Sequence, residues 1–282
     1  MDRGITGKAP ESAEEKRGGI SSKGQREKVI FFGNGLLAEA ALAVIERECQ
    51  VIFHARTRED LAKAVELKRS FPEAHGVLAS YGVMIREEVL EAFEPEGILN
   101  IHPSMLPLYR GPSPIESAIL AGDNDFGVSV MKLVKEMDAG PIYHQMNITG
   151  IKMDKETIYR RLAEAGAEWI IGNFSDLPQP VAQVGEPTFT AKLVKSMGIL
   201  EPETDTAEMT FRKIVAFQGF PKAKYTFYGV SCIVLAAHIL EVGEKAVLSL
   251  KCADGRFVGI DRLQPEGRKA MDAKAFMNGY AR

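Results

Sequence analysis

Short apolar runs alternate with charged, helix-prone stretches through the first two thirds of the chain. Val29-Ile30-Phe31-Phe32 is the first run, closed by Gly33-Asn34-Gly35. Leu36 to Arg47 reads as a helix, Val51-Ile52-Phe53 as a second strand and Arg58 to Arg69 as a second helix. Gly76 to Tyr81 gives a third strand, Arg86 to Phe93 a helix, and Gly97-Ile98-Leu99-Asn100 a fourth strand. This alternation predicts an α/β unit with a mainly parallel sheet. Asn100 then stands at a strand's C-terminal end, where open α/β sheets bind ligands. Ser113 to Ala121 follows as a helix, with Pro114 tolerated in its first turn. Phe126 to Val134 is strand-like, and Lys155 to Ile171 is an amphipathic helix.

The texture changes after Ser175. Residues 178–191 are rich in proline and polar side chains and read as a linker. Beyond it, a helix near Thr206 to Phe217 precedes short runs at Tyr225–Tyr228, Ser231–Leu235, Ala246–Cys252 and Arg256–Ile260. Asp254-Gly255 is a hairpin signal. Short antiparallel strands of this kind predict a small barrel. Residues 1–27 carry almost no large apolar side chains and read as a disordered extension. The organisation expected is therefore 1–27, 28–177, 178–191 and 192–282.

Composition changes little in that picture. With 282 residues, 45% hydrophobic and 26% charged, the chain fits one large or two ordinary globular units. A net charge of -3 gives no global attraction to nucleic acid, so contact with RNA needs a local basic surface. From Leu200 onward there are twelve Lys or Arg against ten Asp or Glu, whereas the balance before it is acidic. Lys222, Lys224, Lys251, Arg256, Arg262, Arg268 and Lys269 are the candidates for a basic face there. Cys49, Cys232 and Cys252 lack metal-ligand spacing and read as buried thiols in a reducing compartment. No apolar stretch approaches a membrane span, and the start at Met1 has no signal-peptide core. A cytoplasmic protein without a metal site is expected.

Two segments concentrate the chemistry. Asn100-Ile101-His102 closes a strand with an amide and an imidazole spaced to share one side. Met137-Asp138-Ala139-Gly140 adds a carboxylate after a later strand. An amide donor, an imidazole and a carboxylate suit a tetrahedral acyl-transfer intermediate. A polar turn at Asn100 and His102, and a turn aspartate at Asp138, are the plainer alternatives. Gly33-Asn34-Gly35-Leu36-Leu37-Ala38 fits the G-x-G-x-x-A dinucleotide pattern, but His54-Ala55-Arg56 stands where a ribose-binding acid is expected. The glycines read better as a tight strand-to-helix turn.

Taken together, Asn100, His102, Ser104, Leu106, Pro107, Tyr109, Arg110, Gly111, Asp138 and Gly140 resemble the 10-formyltetrahydrofolate-dependent formyltransferase family, with Met105 in place of a leucine. Thr190 to Leu193, and the chain end from Leu263 to Met271 and Phe276 to Tyr280, are similar to methionyl-tRNA formyltransferases in particular. The resemblance implies a Rossmann-like formyl-transfer unit followed by a small OB-like β-barrel. It implies 10-formyltetrahydrofolate as co-substrate and charged initiator tRNA as partner, with the chain acting as a monomer. It also implies Asn100, His102 and Asp138 as catalytic residues and Ser104, Met105, Leu106, Pro107, Tyr81 and Gly82 as folate neighbours. Arg110, Gly111, Arg56, Arg268 and Lys269 would face the acceptor.

Two departures stand out. Gly33-Asn34-Gly35 replaces the family's Gly-Thr-Pro, and the usual long basic loop after the second strand is missing, since few residues separate Phe53 from His75. The missing loop leaves open a formyltransferase for an amino sugar or nucleotide precursor. A non-catalytic RNA-binding protein and an NADP oxidoreductase are the rivals from other classes.

Overall fold

The structure, a computed structural model, describes residues 26–148 and 154–281. Nearly all of the extension expected to be disordered lies outside the described residues. The first unit runs β1 (Lys28–Gly33), α1 (Gly35–Glu48), β2 (Gln50–Ala55), α2 (Asp60–Ser70), β3 (His75–Ala79), α3 (Glu87–Ala92) and β4 (Ile98–His102). It continues with α4 (Pro114–Ala121), β5 (Phe126–Lys132), β6 (Ile142–Ile148) and α5 (Lys155–Asn173). The six strands form one sheet in the order β2-β1-β3-β4-β5-β6. β1 pairs in parallel with β2 and β3, and β3 with β4. β5 runs antiparallel to both β4 and β6. The sheet is thus mainly parallel with an antiparallel edge. β6 has no counterpart in the sequence pattern above, because its half-buried Tyr143, His144 and Gln145 and its exposed Asn147 break any apolar run.

Alternation in β1 explains the layering. Val29 and Phe31 enter a core shared with α1 and α5, while Ile30 and Phe32 enter a second core with α2 and the end of α3. Side chains two apart along a strand share a face, so helices must cover both faces. Gly33 ends β1 because no side chain fits there: a Cβ would collide with the Ala79 carbonyl and the Ala38 methyl. Gly35 follows at φ +78°. The glycine motif therefore serves a close strand-to-helix turn. Gly33→Ala is expected to lower stability by about 1–3 kcal/mol, the usual cost of overpacking, read as a lower urea midpoint.

The second unit comprises α6 (Ala207–Ala216), β7 (Lys224–Phe227), β8 (Val230–Ile239), β9 (Ser249–Lys251), β10 (Phe257–Pro265), β11 (Met271–Asp272) and α7 (Ala273–Tyr280). Its strands form an antiparallel sheet ordered β11-β10-β8-β7, with β9 on β10. The Asp254-Gly255 turn joins β9 to β10, with Gly255 at φ +81° and Cys252 N–H bonded to Arg256 C=O at 2.9 Å. The strand expected from Ala246 begins only at Ser249, while β10 runs on to Pro265. α7 was not anticipated; Asp272 caps it by accepting from the Ala275 N–H at 2.7 Å. Cys49, Cys232 and Cys252 are buried free thiols.

The segment between the units is laid along the first one. Val181 and Ile142 exchange two backbone hydrogen bonds (2.7 and 2.8 Å). Thr188 and Thr190 bracket Arg110, which donates to Thr188 C=O at 2.9 Å and accepts from Thr190 N–H at 2.8 Å. One apolar core continues from α1 and α5 through α4 into α6 and the second sheet. A buried ion pair crosses the same junction. Lys155, on α5, donates to Glu116 of α4 at 2.9 Å and to the Ala216 carbonyl at the end of α6 at 2.8 Å.

Candidate active site

The C-terminal ends of β3 and β4, the first turn of α1 and the loop after β5 open onto a cavity of about 330 Å³. Asn100, His102, Gly111 and Asp138 line it, as do Tyr81 and Gly82 from the loop after β3. Register explains the first pair: Asn100 lies opposite Leu78 of β3 and Met131 of β5, and His102 opposite Ser129. Both are 5% exposed. Among the described residues the Asn100 carboxamide has no hydrogen-bond partner. A nearly buried amide held by strand backbone and open to a cavity is a preorganised donor.

His102 is oriented through Nε2, which donates to the Tyr109 carbonyl at 3.1 Å. A carbonyl can only accept, so Nε2 keeps its proton and Nδ1 is the nitrogen left to exchange one. Nδ1 lies 3.7 Å from Asp138 Oδ1. That is too long for a hydrogen bond but close enough for a charge pair when Nδ1 is protonated. The other carboxylate oxygen accepts from Gly111 N–H at 2.7 Å. Asp138 itself adopts φ +49°, a left-handed conformation that Asp tolerates better than most residues. Gly111, at φ +118°, is required where it stands, since a Cβ would lie 2.6 Å from Thr190 Oγ1.

Other sequence candidates fall elsewhere. Ser104, Met105, Leu106 and Pro107 do not line the cavity. The Ser104 hydroxyl donates to Leu108 C=O at 2.6 Å, and its carbonyl accepts from Ser129 at 2.7 Å. Leu106 is 4% exposed, and Met105 packs on Gly127. These residues build the turn that presents Tyr109 and Gly111, so their polar atoms are already spent. Arg56 is also outside the cavity: its Nε donates to His54 Nδ1 at 3.3 Å, and His54 Nε2 donates to the Gly33 carbonyl at 3.0 Å. Arg110 points away to Gln183, at 3.0 Å from Nε. Arg268 and Lys269 lie in the exposed turn after β10. Arg256 leaves the candidate basic face, because Glu208 and Asp254 hold its guanidinium.

Tyr159 is a cavity residue that the sequence pattern did not single out. It lies one helical turn beyond Lys155 on α5, a spacing that puts both on one face. Its hydroxyl donates to Glu116 at 3.0 Å. Burial, reinforced by the Glu116 charge, pushes the phenol far above its ordinary pKa, so it remains a donor.

Comparison with known proteins places this geometry in a family. Residues 28–173 match the formyl transferase model, and residues 192–281 match the formyl transferase C-terminal domain. The chain belongs to the formyl transferase family. Within that family it is 35% identical over 239 residues to the methionyl-tRNA formyltransferase of Thermus thermophilus, covering 80% of this chain and 76% of that protein. The solved methionyl-tRNA formyltransferase of Clostridium thermocellum shares the fold with a TM-score of 0.61 at 16% identity, over 85% of this chain and 98% of that one. HypX of Aquifex aeolicus in complex with tetrahydrofolic acid superposes with a TM-score of 0.68 at 18% identity, over 91% of this chain and 47% of that one. This formyl transferase has no described helix long and apolar enough to cross a membrane.

Proposed function

We propose that this chain transfers the formyl group of 10-formyltetrahydrofolate to the α-amine of initiator methionyl-tRNA. The unpartnered Asn100 carboxamide facing His102 and Asp138 in one cavity carries the chemical part of the reading. The Thermus thermophilus relative supports the acceptor. At about 330 Å³ the cavity suits the formyl-bearing end of the folate. Tyr81, Gly82 and the loop before Asp138 border that end.

The amine attacks the formyl carbon, forming a carbon–nitrogen bond and a tetrahedral oxyanion. Asn100 donates to that oxygen, and His102, protonated at Nδ1, stabilises it by charge. Each contribution is on the order of 2–4 kcal/mol of transition-state energy. Asp138 holds the imidazolium and takes up the amine proton through water. The oxyanion then collapses to re-form the carbonyl as the carbon–N10 bond breaks, and the proton taken up by Asp138 passes back through water to N10, which leaves as tetrahydrofolate.

Arg268 and Lys269 on the second unit contact tRNA phosphates in this reading. Formylation is expected with charged initiator methionyl-tRNA and not with charged elongator methionyl-tRNA. Arg268→Ala with Lys269→Ala should raise KM for tRNA and flatten its salt dependence by roughly one logarithmic unit per lost phosphate contact. Folate binding with no transfer to either tRNA would move the acceptor to a small amine.

A further inference from the structure

The loop from Leu133 to Pro141 carries the Asp138 carboxylate, and its two ends are anchored by the sheet. Leu133 N–H donates to Ile98 C=O at 2.8 Å, and Lys132 N–H to Pro141 C=O at 2.9 Å. The loop's middle has no such ladder. Its backbone carbonyls at Asp138 and Gly140 instead accept from one side-chain amide: Gln183 Nε2, at 2.8 and 2.9 Å. Gln183 belongs to the segment joining the two units, 45 residues away from Asp138 in sequence. Its carbonyl oxygen is occupied as well, accepting from Arg110 Nε at 3.0 Å and Nη2 at 2.5 Å. Arg110 directly precedes Gly111, whose N–H holds the Asp138 carboxylate.

We infer that Gln183 is a positioning residue for the Asp138 carboxylate, clamping the loop that bears it to the Arg110–Gly111 segment that orients it. The inference rests on the formyl-transfer reading for its catalytic consequence. Three observations favour a clamp over incidental packing. Gln183 uses both donors and its acceptor on this one junction. Asp138 is held at φ +49°, a conformation that an unrestrained loop leaves readily. Gly140 is packed tightly on Lys132, where an added Cβ would collide with the Lys132 carbonyl oxygen, so the loop cannot close further onto β5 at that point. Without the clamp, the carboxylate loses its fixed relation to His102 Nδ1 while the cavity wall from β3 and β4 stays in place.

The test uses the full chain with Gln183→Leu, Arg110→Met and the double variant. Loss of alignment should lower kcat by about 10- to 100-fold. KM for 10-formyltetrahydrofolate should rise by less than kcat falls, because the β3 and β4 walls are untouched and only the loop before Asp138 loosens on the folate side. The double variant should be no worse than either single one, since each change opens the same clamp. Hydrogen exchange gives a readout independent of the reaction: amides of 108–113 and 134–141 should exchange faster in Gln183→Leu, with the β1 and β3 amides unchanged. Unchanged kcat with unchanged exchange overturns the inference. So does a kcat loss matched by the same loss of titratable folate sites, which marks ordinary unfolding. If the wild-type chain formylates no amine, the proposed reaction fails, and the exchange data alone decide whether Gln183 clamps the loop.

Discussion

Replacing Asn100 with Ala is expected to lower kcat for formyl transfer by about 10²- to 10³-fold, the typical cost of losing one oxyanion donor. The substitution removes a carboxamide that holds no other side chain or backbone group in place among the described residues. Little folding energy should therefore be lost, and thermal melting should stay close to wild type. Asp138→Asn is the companion variant. It keeps an acceptor for the Gly111 N–H but removes the charge facing His102 Nδ1. Its kcat should fall by a similar factor. Steady-state transfer assays with melting curves on both proteins check the pair. Near-normal turnover by either would falsify the role given to it.

The second large effect concerns stability. Lys155 and Glu116 are 7% and 6% exposed, and their pair lies where α4, α5 and α6 meet. Lys155→Met leaves a buried carboxylate with Tyr159 as its remaining described donor and frees the Ala216 carbonyl at the end of α6. Breaking a buried pair from one side costs about 3–5 kcal/mol, because the surviving charge is uncompensated. Adding Glu116→Gln removes that charge while keeping an acceptor for Tyr159. The double variant should therefore recover a large part of the loss. Urea denaturation of the two proteins decides the matter: equal midpoints would mean that the stranded charge is not the cause. Because Tyr159 also borders the cavity, the single variant should raise KM for the co-substrate as well.

Much of the first unit could be read from the chain because buried parallel strands leave unmistakable runs. Val29 to Phe32 is apolar at every position, since helices cover both faces. β6 was invisible for the opposite reason. It lies at the sheet edge with no position fully buried, and polar residues serve there as well as apolar ones. In the site, Asn100 and His102 were accessible from two-residue spacing on a strand, and the motif carried Asp138. Ser104 to Pro107 carry the motif yet stand outside the cavity lining, because a motif records which residues recur and not which way they face. Hydroxyl and amide groups that shape the Tyr109–Gly111 turn recur as readily as groups that touch a ligand. Gln183 and Tyr159 were illegible from spacing alone, since what matters about each is a partner far off in sequence.

The segment tied to the first unit at Val181, Gln183, Thr188 and Thr190 also bears on where the protein can be cut. A fragment ending at Asn173, the last residue of α5, would keep all six strands of the sheet. It would lack the hydrogen bonds to Asp138, Gly140, Arg110 and Ile142. The shortest piece with a complete cavity loop therefore extends to Thr190. By its contacts the connecting segment belongs to the unit that precedes it, and recombination between relatives would best place its crossover after that residue.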